Sequence, residues 1–104
     1  MQSPVRYKQR RVHVDGEMTI YTCGEIKARL LEQLQAHPKA AELDLSRVTE
    51  IDTAGLQLLL MTRRYLSEAG LALRVVNPSR VVSEVLELCR LDTLAPAAAV
   101  EGAQ

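Results

Sequence analysis

Few side chains in this chain of 104 residues are of a type that does covalent or acid-base chemistry, and their spacing decides what is available. His13 stands in an alternating Val12-His13-Val14 run and His37 directly precedes Pro38, so neither accompanies a nucleophile that it would activate. Asp44 and Asp52 each lie near the end of a strand-like segment, where an acidic pocket would hold Mg²⁺, but neither a third acid nor a matching lysine goes with them. Cys23 and Cys89 are widely separated and lack metal-ligand spacing, so they read as reduced thiols, Cys89 packing as a small hydrophobe. No glycine-rich phosphate loop occurs. These residue types argue against an enzyme and call for neither metal nor cofactor.

The one segment built for a partner rather than a core is a junction. From Glu42 to Leu60 the chain gives a short alternating strand, a polar turn, and Asp52-Thr53-Ala54-Gly55 directly before a leucine-rich helical stretch. Free amides and the dipole at a helix mouth favour an anionic group by about 0.3–1 kcal/mol, so Asp52 or Thr53 serves as the cap. Helical spacing puts Leu58, Leu59, Met61, Thr62, Tyr65, Leu66 and Ala69 on a core arc. Leu56 and Leu60 fall on the opposite arc with Gln57, Arg63, Arg64, Ser67 and Glu68, which predicts a contact ridge beside Thr53.

The elements that must position this junction are legible in outline. Met1 to Arg11 carries Arg6, Lys8, Arg10 and Arg11 without a hydrophobic period and is expected to be a solvated basic lead-in. Val12 with Val14, and Met18 with Ile20, predict two short strands joined at Asp15-Gly16. Thr22-Cys23-Gly24-Glu25 has the capping-box form, and Ile26, Leu30, Leu31 and Leu34 follow at helical spacing up to His37-Pro38. Leu43 and Leu45 mark a third strand, a helix spans about Ala54 to Ala69 before Gly70, and Leu71, Leu73 and Val75 mark another strand. Asn77-Pro78 is expected to open a last helix whose inner arc carries Val81, Val82, Val85, Leu86, Leu88 and Cys89, with one weak helical turn after Asp92. Strands alternating with helices imply right-handed crossovers and parallel pairing in the second part.

Composition bounds the rest. With 47% hydrophobic and 25% charged residues, 13 basic against 13 acidic, the chain has the make-up of one soluble domain and no net field to recruit nucleic acid or anionic lipid. Tyr7, Tyr21 and Tyr65 are its only aromatics, too few for base stacking. The longest apolar run, Leu58 to Met61, is far short of the ~20 residues that span a bilayer, so no membrane insertion is expected and a cytoplasmic location is the default.

From Val12 to about Leu94 the chain resembles a STAS domain, the module of bacterial anti-sigma factor antagonists and of sulphate-transporter tails. The matching pieces are Asp15-Gly16-Glu17-Met18-Thr19-Ile20, Leu43-Asp44-Leu45-Ser46, Ile51-Asp52-Thr53-Ala54-Gly55-Leu56 and Val85-Leu86-Glu87-Leu88. The resemblance implies an α/β fold, a small mixed sheet of about four strands with three to four helices, as one domain over 1–104 with its core at about 12–94 and a flexible tail at 95–104. It implies a bacterial signalling role in transcription regulation, docking on a kinase or anti-sigma factor partner through Asp52, Thr53, Ala54, Gly55, Leu56, Gln57, Leu60 and Arg63.

In that family the residue before the glycine is commonly a Ser or Thr that the partner kinase phosphorylates, and here it is Ala54. Thr53 keeps a hydroxyl one position earlier, available for phosphorylation, capping or a direct bond to a partner. Thr followed by a small residue and Gly also resembles the STAS accessory subunit of a phospholipid-transport ABC system, which binds the ATPase. A homodimer through an edge strand or the Leu56 and Leu60 ridge is a further expectation.

Overall fold

The computed structural model describes residues 3–95. Four strands form one mixed sheet in chain order: β1 (Val5–Lys8), β2 (Arg11–Met18), β3 (Glu42–Ile51) and β4 (Arg74–Val76). β1 runs antiparallel to β2, while β2 with β3 and β3 with β4 are parallel. Parallel neighbours need crossovers, and α1 (Cys23–Ala36) and α2 (Thr53–Glu68) supply them. α3 (Arg80–Leu88) follows β4, and a 3-10 turn at Asp92–Leu94 closes the described span. This is the α/β fold expected, a four-stranded mixed sheet under three helices.

Residues 3–11 are not a free lead-in. Val5 is buried and pairs with Val14, Tyr7 pairs with Val12 and packs against the core, and Arg6 lies 3.2 Å from Asp15. The alternation of Val5 and Tyr7 was hidden by the cations between them, which suit an edge strand. Gln9 and Arg10 close the hairpin with φ of 56° and 67°, the left-handed pair of a type I′ turn.

Asp15-Gly16 is not a turn between two strands either. β2 continues to Met18, and Gly16, with φ of 87°, takes up a register shift against β3. Strand structure then stops before Thr19, so Ile20 is not a core residue. β3 likewise passes through Ser46 to Glu50, where a polar turn was expected, with Val48 still inward and its neighbours outward.

Val12, Val14, Leu43, Leu45 and Val75 carry the sheet's part of the core. Ile26, Leu30 and Leu34 of α1, Leu58, Leu59 and Leu66 of α2, and Val82 and Leu86 of α3 pack onto it. Two capping expectations give way. The Thr22 hydroxyl does not cap α1, and α3 starts at Arg80 with Ser79 as its cap, whose side chain accepts from the Val82 amide at 3.4 Å. The arc predicted for α3 also narrows: Leu88 is 83% exposed and Cys89 is an exposed C-cap residue rather than a packed hydrophobe. At 100° per residue Leu88 stands well away from Val82 and Leu86, and Cys89 lies beyond the last helical residue. The tail expected to be flexible lies, from Pro96 onward, outside the described residues. No helix among them is long and apolar enough to cross a membrane.

Candidate partner-docking site

The junction is organised by Asp52. It leaves β3 in an extended conformation and caps α2, its Oδ1 accepting from the Gly55 amide at 3.1 Å. Its Oδ2 accepts from the Ile20 amide at 3.0 Å, and its own amide donates to the Met18 carbonyl at 3.2 Å. The Ile20 bond first, with the Gly55 bond and the other amides of the helix mouth, holds the Asp52 carboxyl below the usual range against a smaller opposing effect of desolvation. Asp52 is thus the cap and a tie to the next loop, which releases Thr53 from either duty.

Gly55 makes that tie geometrically feasible. A Cβ there would run into the Met18 carbonyl oxygen and come within 2.8 Å of Ile51 Cγ1. The glycine that stood out as part of a recognition motif is required by the approach of α2 to the end of β2.

The loop held by Asp52 is a compact polar knot with an apolar tip. Thr22 Oγ1 donates to the Glu17 carbonyl at 2.8 Å and accepts from the Thr19 amide at 2.9 Å, while the Thr22 and Cys23 amides donate to the Thr19 carbonyl. Thr19 is buried and its hydroxyl accepts from the Tyr21 amide. With both threonines turned inward, Ile20 and Tyr21 are left 72% and 92% exposed. Sequence reasoning missed them because Met18-Thr19-Ile20 mimics a strand. The available signal was Tyr21, which immediately precedes a helix start and so belongs to a loop.

The expected site residues are brought together in part. Thr53 is exposed at the first position of α2, Ala54 is half-buried and Gly55 is buried. Gln57 and Arg63 are exposed further along the helix. Leu56 and Leu60 are both half-buried, and Leu56 packs against the core, so the projecting apolar groups at this end are Ile20 and Tyr21 rather than a leucine ridge. Glu17 and Glu50 pair across β2 and β3, both exposed, and give this end of the sheet an acidic rim.

Asp44 and Asp52 do not share a pocket. They lie eight residues apart on one strand, roughly 25 Å at ~3.3 Å per residue. Asp44 is buried and accepts from the Ser46 amide at 3.0 Å, the Ser46 hydroxyl at 2.7 Å and Asn77 Nδ2 at 3.1 Å, with His13 Nδ1 3.8 Å away. Burial alone would push its carboxyl up, but the Ser46 and Asn77 bonds and the nearby His13 together outweigh it and hold it below the usual range. This carboxylate latches β4 and its following loop to β3. Cys23, beside the junction, has its thiol pushed up by burial and then by the Asp52 charge, which suppresses the nucleophilic thiolate. No group of three or more potential metal-ligating His, Cys, Asp or Glu side chains occurs among the described residues.

Comparison with known proteins agrees with this architecture. A family model described as "Mlab, STAS domain" matches residues 5–96. A Thermotoga maritima protein assigned as an anti-sigma factor antagonist is 24% identical, with a TM-score of 0.72 over 88% of this chain and 81% of its own. The unphosphorylated form of the anti-sigma factor antagonist SpoIIAA is 18% identical, with a TM-score of 0.68 over 88% of this chain and 84% of its own. The phosphorylated form of SpoIIAA, a Bacillus cell fate determinant, is also 18% identical, with a TM-score of 0.62 over 88% of this chain and 86% of its own. At these identities the structural likenesses establish the fold. No curated protein sequence matches.

Proposed function

The chain belongs to the STAS domain family, and from that premise we propose that it is a non-enzymatic interaction module of bacterial signalling that docks on a regulatory partner of kinase or anti-sigma factor type. The docking face is the Asp52 to Leu56 junction with Gln57, Leu60 and Arg63 on the following helix, enlarged by Ile20 and Tyr21. The observation that carries this reading is the Asp52 clamp, which presents two large exposed apolar side chains next to the exposed Thr53. Isolated exposed leucines are common on protein surfaces, but a neighbouring isoleucine and tyrosine held out by a rigid hydrogen-bonded turn form a preorganised anchor.

Ala54 occupies the place at which related modules carry a phospho-acceptor, so the docking face lacks the usual switch. A phosphate at Thr53 would add roughly −1.5 to −2 charge beside the ionised Asp52 and repel a partner. The test is affinity capture from the native cell with the wild type, Tyr21→Ser, Thr53→Glu and a remote control, Leu88→Ser. A regulatory protein retained by the wild type and the control but lost with the two junction variants supports the reading. Equal retention by all four removes this face.

A second reading sets the same face on the ATPase of a phospholipid-transport ABC system. Thr53 followed by Ala54-Gly55 favours it. An ATPase recovered with the permease in the same capture would select this reading over signalling.

A further inference from the structure

The end of the sheet away from the junction carries an open depression. The β1–β2 turn and the segment after α1 meet there around an open cavity of about 520 Å³. Tyr7 and His37 stack in its wall with ring centroids 3.5 Å apart and planes 8° from parallel, and Pro38 and Ala40 extend the apolar side. Arg10 and Lys39 line the same cavity, and neither has an acidic partner among the described residues.

Arg10 is the informative residue. It occupies the second central position of a turn in which both φ angles are positive, a position where glycine is strongly preferred. A locally unfavourable residue that places a cation on a cavity is the pattern expected when the side chain serves a ligand. From this cavity, its aromatic wall and its two unpaired cations, we propose that Tyr7, His37, Arg10 and Lys39 bind a small planar organic anion, an aromatic carboxylate being the simplest example. The ring lies against the stacked wall, and the anionic group is held by Arg10 and Lys39. This site is distinct from the docking face, so the failure of either assignment leaves the other standing.

The test uses 2-naphthoate as probe, titrated by calorimetry and by NMR on the full chain, with 2-naphthamide and acetate as controls lacking the charge or the ring. The expected result is saturable binding of 2-naphthoate that shifts the Tyr7 and His37 ring signals, with weaker binding of both controls. Arg10→Gly and Lys39→Met each weaken binding by about three- to five-fold, the scale of one exposed ion pair. Because the turn favours glycine, Arg10→Gly keeps or raises the melting temperature, which separates lost binding from lost fold. No saturable binding, ring shifts elsewhere, or affinity unchanged in both variants would overturn the site. Co-sedimentation with phosphatidylglycerol vesicles that depends on Arg10 and Lys39, without 2-naphthoate binding, would assign the cations to a lipid surface and likewise overturn it.

Discussion

The two ends of the sheet are built on opposite principles, although the chain as a whole carries as many basic as acidic side chains. At the junction end, exposed Glu17 and Glu50 face each other across parallel strands, and Asp52 is clamped between two backbone amides. The hairpin end carries Lys8, Arg10, Arg11, Lys39 and Arg74, of which Arg11 pairs with Glu42 at 3.0 Å and Arg74 with the same carboxylate at 3.4 Å. Net charge of zero therefore conceals a polarised molecule. The partners proposed for the two ends differ accordingly, an apolar protein surface at one and a small anion at the other.

The ends also differ in where local strain is accepted. The junction spends its glycine on close packing, whereas the hairpin turn does without glycine at two positions of positive φ. That difference can be broken most strongly at Gly55. Gly55→Ala is expected to cost about 2–3 kcal/mol in urea unfolding, because the backbone of Met18 must move to admit the methyl group. Gly24→Ala, with nothing within 4 Å of the added carbon, is expected to leave stability unchanged or slightly raised.

Next in size is the binding contrast. Thr53→Glu and Tyr21→Ser are each expected to weaken partner binding about ten-fold or more while shifting stability by less than about 0.5 kcal/mol, since both side chains are exposed. Calorimetric titration against the captured partner beside thermal melts checks both halves of the statement. A loss of binding accompanied by an equal loss of stability would make the junction structural rather than functional.

Each end also holds a carboxylate whose titration reads out its clamp. The carboxyls of Asp44 and Asp52 titrate below the ordinary value of about 3.9. Their contribution is fully present above that unfolded value and is lost as pH falls through the lower folded values. Wild-type stability should therefore be level above about pH 5 and fall below about pH 4. Asp44→Asn and Asp52→Asn should each flatten that fall, and Asp52→Asn should also speed hydrogen exchange at the Ile20 amide. An unaltered acid profile in both variants would contradict the clamps. A modest gain is expected at the hairpin, where Arg10→Gly should raise stability by about 0.5–1 kcal/mol by relieving the left-handed backbone.

Much of the scaffold was readable because its signals are local and periodic. Ile26, Leu30 and Leu34, or Leu58, Leu59, Thr62 and Leu66, return to one face of a helix whatever surrounds them. Misreadings arose where backbone hydrogen bonding across distance overrode a local pattern. Gly16 looks like a turn until β3 pairs alongside and carries the strand past it, and Ile20 looks inward until the Thr19 and Thr22 hydroxyls close the loop beneath it. Val5 and Tyr7 looked like a charged terminus because an edge strand is allowed cations on its outer positions. At the site, Asp52 as cap, Thr53 beside it and the loop position of Tyr21 were within reach of sequence, whereas the tie that holds that loop to Asp52 was not.

The sequence by itself determined much of the inner faces of α1 and α2 and the α/β order of the elements, because periodicity and residue type are properties of neighbours along the chain. The identity of Ala54, a methyl-bearing residue directly before Gly55, belongs with these. Only the tertiary structure decided that Asp52 reaches 32 residues back to Ile20, that Gly55 is needed for contact with Met18, and that opposite charges collect at opposite ends of the sheet. Those facts depend on parallel strand register and helix docking, which bring residues distant in sequence within hydrogen-bonding range and leave no signature in either segment alone.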